Sequence, residues 1–199
     1  IWSMHYIGLL AFRLPVLVEY DWPTVLLSLL AAVFASAVAL FVVSRHKMGL
    51  FRATVGSIFM GGGIAAMHYV GMRAMRLPAM CDYSPALVIA SVVLAIVISF
   101  VALWLTFRSR QDTTQGGWPK TVSALVMGAA IPVMHYTGMA AVRYTPAILS
   151  QQEVLHSVSI SSLWVTGISA VTFIVLGLVF LTSLADRRLS AQALELESS

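Results

Sequence analysis

The stretch AAMHYVGMRAM, residues 65–75, places a histidine, a tyrosine and three methionines in a run where polar residues are otherwise rare. It returns as WSMHYIGLLAF at 2–12 and as PVMHYTGMAAV at 132–142. One such cluster is as readily core packing as a site, but three need a common cause. His5, His68 and His135 are 63 and 67 residues apart, a near-constant period that marks an internal repeat.

The surroundings of the motif decide the solvent. Of the 199 residues, 59% are hydrophobic and 10% charged, far below the roughly 25% charge of a soluble domain. Asp, Glu, Lys and Arg are missing from Thr24 to Ser44, Ala53 to Met72, Tyr83 to Phe107, Thr121 to Val142 and His156 to Ala185. Each run is long enough to cross about 30 Å of hydrocarbon at about 1.5 Å per helical residue. Backbone groups in lipid must be satisfied internally, and runs of this length choose helices over the short alternating strands of a barrel. The first apolar run, Ile1 to Leu14, would rise only about 21 Å, so this helix is expected to be cut in half, with sequence missing upstream. No basic start, short apolar core and small-residue cleavage site mark a signal peptide.

Each period reads as a motif helix, an outer loop, a plain helix and an inner loop: 1–14 with 24–44, 53–78 with 84–107, and 121–143 with 159–184. Two helices per unit return the chain to the same side, so the units are parallel repeats about an axis along the membrane normal. The expected fold is all-α, a polytopic membrane helical bundle of three parallel two-helix repeats. Residues 1–184 form the membrane domain, and 185–199, LADRRLSAQALELESS from Leu184, a cytoplasmic exit helix leading to an output domain. With this threading Arg45, Lys47, Arg52, Arg108, Arg110, Lys120, Arg187 and Arg188 share one side, and Arg13, Arg73, Arg76 and Arg143 the other. The richer side is the cytoplasmic one. The net charge of +4 then reports topology and gives no reason to invoke nucleic acid.

Parallel repeats put His5, His68 and His135 at one depth. Arg13, Arg76 and Arg143 follow them by eight residues, about 12 Å of helical rise, which sets the imidazoles in the outer half of the membrane. His68 and Met72, like His135 and Met139, share a helix face, whereas Leu9 replaces that methionine in the first repeat. Met4, Met67 and Met134 are rotated by about 100°, as are Tyr6, Tyr69 and Tyr136, for which hydrogen-bonding or second-shell roles are expected. Imidazole suits copper, zinc, iron and nickel, and soft thioether shifts the choice toward copper; paired histidines also suit haem, but crowding by the glycines favours a bare ion, and the spans hold no carboxylates for calcium, magnesium or manganese. Gly8, Gly71 and Gly138 follow each histidine by three, with Gly61 to Gly63 and Gly128 upstream, so helices can approach closely. A lone intramembrane histidine is more readily an interhelical hydrogen bond, and a methionine packing; three copies at equal depth favour a metal site. Cys81, His46 and His156 read as solvated bystanders. No nucleophile with its base, phosphate loop or carboxylate pair suggests an enzyme.

Three copies of MHYxG on paired membrane helices resemble the MHYT domain, a bacterial integral-membrane sensor module of seven helices, and the chain looks like that domain without its N-terminal helix and half of the next. The likeness covers nearly the whole chain, although only MHYTG at 134–138 carries the name-giving threonine; Ile7 and Val70 replace it elsewhere. The resemblance implies an inner-membrane sensor that binds copper through the motif histidines and methionines and senses O2, CO or NO. It also implies a C-terminal cytoplasmic output domain, such as a cyclic di-GMP enzyme. Expected partners are membrane lipid, a diatomic gas ligand and that output domain, with a homodimer left possible. The rival readings are copper or small-molecule transport, which the aliphatic inner helix halves disfavour, and a metal-free module responding to lipid or quinone.

Overall fold

A computed structural model describes residues 1–11, 18–45, 49–111, 117–146, 157–159 and 162–198. These form six helices and five short strands: α1 Trp2–Ala11, β1 Glu19–Asp21, α2 Trp22–Val43, α3 Leu50–Arg73, β2 Met75–Arg76, β3 Ala79–Tyr83, α4 Pro85–Gln111, α5 Gly117–Ala140, β4 Val142–Pro146, β5 Ser157–Ser159 and α6 Ser162–Ser198. The chain divides into two units, Ile1–Ser159 and Ile160–Ser199. Among the described residues, segments of α2, α3, α4 and α6 are long and apolar enough to cross a membrane. Arg13, His46, Lys47 and His156 lie outside the described residues.

In the first unit α3 packs against α2 and α4, α4 also against α5, and α1 meets both α3 and α5. Small residues permit this. A Cβ at Gly61 would lie 2.6 Å from the Cα of Ile96 on α4, and one at Gly63 3.0 Å from the Cβ of Ala35 on α2, so α3 meets both neighbours nearly backbone to backbone. Gly62 and Gly128 face open space and take no part in that packing. The outer rims of α2 and α4 are covered with exposed Leu, Val, Ile and Phe, which is how a surface facing hydrocarbon reads.

Local chemistry sets the helix ends. Asp21 caps α2 by accepting from the Thr24 N–H at 3.1 Å, and Pro23 sits in the first turn, where a missing N–H costs nothing. The motif helices stop short of the spans expected for them, 53–78 and 121–143: α3 ends at Arg73 and α5 at Ala140. Arg76 and Arg143 therefore stand in strands β2 and β4. The eight-residue helical rise expected between histidine and arginine is replaced by five helical residues and a turn.

These strands occupy the loops that sequence periodicity leaves blank. β1 pairs antiparallel with β2 in register Glu19↔Arg76 and Tyr20↔Met75, and with β5 in register Glu19↔Ser159 through Asp21↔Ser157. β3 pairs with β4 from Ala79↔Pro146 to Tyr83↔Val142. Each repeat's loop thus pairs with those of the other two, closing a ring at the end of the bundle where the motif helices finish. Tyr20, Ala74, Met75, Leu77, Ala141 and Val142 are buried in and beside this cap. Asp21 adds an ion pair to Arg76 at 3.8 Å.

Candidate metal centre

His5 on α1, His68 on α3 and His135 on α5 are brought together, and all three are fully buried. Their ring centroids form a nearly equilateral triangle with sides of 4.9, 5.1 and 5.2 Å. The rings meet edge to face, and Nδ1 of His5 lies 3.1 Å from Nδ1 of His135 and 3.2 Å from Nδ1 of His68. One ligand atom from each of the three falls within 4.8 Å of the others. The equal depth expected from parallel repeats is thus matched by convergence on one point.

The outward nitrogens have the opposite surroundings. Nε2 of all three histidines is buried without a hydrogen-bond partner among the described residues. Each lies against the glycine of another repeat: His5 on Gly71, His68 on Gly138 and His135 on Gly8. The pattern runs one way round the bundle, repeat one onto two, two onto three, three onto one.

This geometry fits a metal better than it fits hydrogen bonding. A neutral imidazole has one N–H and one in-plane lone pair. Three facing Nδ1 atoms can share at most one well-formed N–H···N bond at the His5 lone pair, leaving the rest of the triangle unsatisfied. One cation uses all three lone pairs while every Nε2 keeps its proton. Bonds of about 2.0–2.1 Å would separate three such nitrogens by roughly 3.3–3.6 Å, close to the spacing observed. These residues can therefore hold a metal ion.

The remaining expected site residues divide. Met67, Met72, Met134 and Met139 are buried and Met4 half-buried. Met134 packs in an apolar cluster with Ala35, Ile64 and Ala95, as its rotation from the histidine face suggests. The tyrosines touch the site with their rings: Tyr6, Tyr69 and Tyr136 stand edge-on to the preceding histidine at 5.1, 4.9 and 5.2 Å. The hydroxyl of Tyr6 goes to Ser28 at 3.2 Å and that of Tyr69 to Ser91 at 2.6 Å, whereas Tyr136 is exposed. Ser28 and Ser91, missed in the sequence, each lie 22 residues after their tyrosine, a recurrence that could have found them. Tyr20 and Tyr83 likewise each follow a motif tyrosine by 14 and approach its ring at 5.8 and 6.0 Å. Cys81 is half-buried in β3, its thiol pushed up by burial and by Asp82. The Tyr144 phenol opposite it is pushed up to about 12, chiefly by burial.

The repeat seen in the geometry is also a family signature. The family model for MHYT, the bacterial signalling protein N-terminal repeat, matches residues 1–56, 61–116 and 128–194.

The chain belongs to the MHYT family.

Three curated relatives illustrate its context. The bifunctional diguanylate cyclase/cyclic di-GMP phosphodiesterase MucR of Pseudomonas aeruginosa is 38% identical over 100% of this chain and 29% of its own length. The signaling protein YkoW of Bacillus subtilis is 33% identical over 97% of the chain and 24% of its own. The cyclic di-GMP phosphodiesterase NbdA of Pseudomonas aeruginosa is 37% identical over 85% and 22%. The chain spans less than a third of the length of these relatives. No solved structure matches it. An MHYT domain of this kind is a multi-pass bacterial inner-membrane module with a sensory signalling role.

Proposed function

We propose that this MHYT domain is a metal-dependent gas sensor in which His5, His68 and His135 hold a copper ion. The observation that carries the reading is the triangle of Nδ1 atoms, with 3.1 and 3.2 Å contacts at His5, on side chains fully removed from water. Met72 and Met139, one turn beyond their histidines, are additional ligands; Met4, Met67 and Met134 stand beside them. Copper bound there would supply affinity for O2, CO or NO, which the side chains alone lack. The chain's own contribution is to orient three neutral imidazoles, exclude water and tie one ligand to each repeat, so that a change at the centre is felt by three helices together. The motif histidines lie in the outer half of the membrane and the C-terminus in the cytoplasm. The signal leaves through α6, which runs without interruption from Ser162 to Ser198, to an output domain that makes or degrades cyclic di-GMP, as the names of two relatives suggest.

Elemental analysis of the detergent-purified intact protein tests this, beside His5→Ala, His68→Ala and His135→Ala. Near-stoichiometric copper, lost in each variant, is the expected result. Absence of metal after reconstitution with Cu(I), with all variants still folded, would refute it and leave the motif as interhelical packing.

A further inference from the structure

The glycine three residues after each motif histidine is constant across the repeats, while its neighbours vary: Ile7, Val70 and Thr137 before it, Leu9, Met72 and Met139 after it. Helix packing does not account for all three. Where packing needs glycine, at Gly61, the missing Cβ would strike the backbone of another helix; at Gly8, Gly71 and Gly138 it would strike an imidazole. At Gly8 that Cβ would fall 2.6 Å from Nε2 of His135, and Gly71 and Gly138 crowd Nε2 of His5 and His68 in the same way.

A ligating histidine commonly fixes its ring by donating its second N–H to a carboxylate or carbonyl. Here that partner is missing, since all three Nε2 atoms are buried and unpartnered among the described residues. Another feature must therefore decide which nitrogen faces the centre. The flat surface exposed by glycine lets the ring lie down on the neighbouring helix with Nε2 outermost, and Nδ1 is thereby turned inward. A methyl group there would lift the ring. Because the rings also meet one another edge-on, at 76° to 88°, a lifted ring would open its side of the triangle.

We propose that Gly8, Gly71 and Gly138 are positioning residues of the metal centre. Each seats the imidazole of another repeat and thereby selects Nδ1 as its ligating atom. The inference rests on the metal-binding reading above. It adds that ligand choice is steric, and that every ligand is held by a repeat other than its own.

The test is histidine-selective 13C/15N NMR on the intact protein loaded with Cu(I), with affinity measured by competition against a Cu(I) chelator. Wild type should show three histidines ligated through Nδ1 and protonated at Nε2. Gly8→Ala, Gly71→Ala and Gly138→Ala should each weaken Cu(I) binding by about 10–100-fold, the range seen when the groups that orient a ligand are lost. Gly61→Ala should lower thermal stability but keep affinity and the histidine spectrum, which separates seating of the rings from packing at large. Ligation through Nε2 in wild type would overturn the proposal even if no variant folded. Glycine variants that bind Cu(I) as tightly as wild type, with unchanged spectra, would overturn it as well. Wild type that takes up no Cu(I) would refute the metal reading itself, an outcome distinct from either of these.

Discussion

Replacing Ser28 with alanine should cost more than removing the tyrosine hydroxyl it holds. Ser28 is fully buried, and its Oγ donates to the Val25 carbonyl at 2.7 Å. A serine hydroxyl has one hydrogen, so Tyr6 must donate to it at 3.2 Å, as does Nε1 of Trp2 at 3.1 Å. Ser28→Ala therefore strands two donors at about 1–3 kcal/mol each when buried, at least about 2 kcal/mol in total. In a chain of this size that lowers Tm by about 4–8 °C. Tyr6→Phe leaves Ser28 still donating to Val25 and accepting from Trp2, and should cost about 0.5–1.5 kcal/mol. The second repeat supplies an internal control. Ser91 donates to Val88 at 2.8 Å and accepts from Tyr69, so Ser91→Ala strands one donor and should fall between the two. Thermal unfolding in detergent, monitored by circular dichroism, gives the order. Should Ser28→Ala cost the same in wild type as in a Trp2→Phe, Tyr6→Phe background, the stranded donors are not the cause and the reasoning fails.

The cap and its cysteine yield three further expectations. Asp21→Ala removes both the α2 cap and the 3.8 Å ion pair to Arg76 and should cost about 1–2 kcal/mol, whereas Asp21→Asn keeps a good cap and should cost about 0.5 kcal/mol; equal losses in thermal unfolding would contradict the split. Burial and then Asp82 hold the Cys81 thiol above its usual range, so thiolate is scarce near neutrality. Alkylation of Cys81 at pH 7.5 should be slower than that of glutathione and accelerate as pH rises above the ordinary thiol range. A membrane-impermeant maleimide should reach it from the outer face of intact cells, and labelling only from inside-out vesicles would reverse the proposed orientation.

How far the fold can be read from the chain depends on the length scale of each cue. Runs such as Thr24 to Ser44 and Tyr83 to Phe107 are legible because a charge inside lipid is costly over a full span, and the structure places α2 and α4 there. The cap is illegible for the converse reason. Its strands are two to five residues long, too short for alternation to register, and their pairing partners lie in other repeats. The uncharged run to Met72 therefore passes for helix up to Pro78, although at Met75 and Arg76 the backbone pairs with β1 instead.

The centre divides along the same line. That three histidines would meet is a consequence of parallel repeats, and needs only the spacing of His5, His68 and His135. Which nitrogen faces inward is set by a ring resting on a glycine of another repeat, as with His5 on Gly71, a contact no local pattern encodes. The +3 spacing of the glycines was visible, but as a packing motif it predicts helix meeting helix, as it does at Gly61. At Gly71 the residue that fills the space is an imidazole. Small residues in a membrane helix therefore record that something approaches closely, and only the threading of the other helices determines whether it is backbone or a ligand.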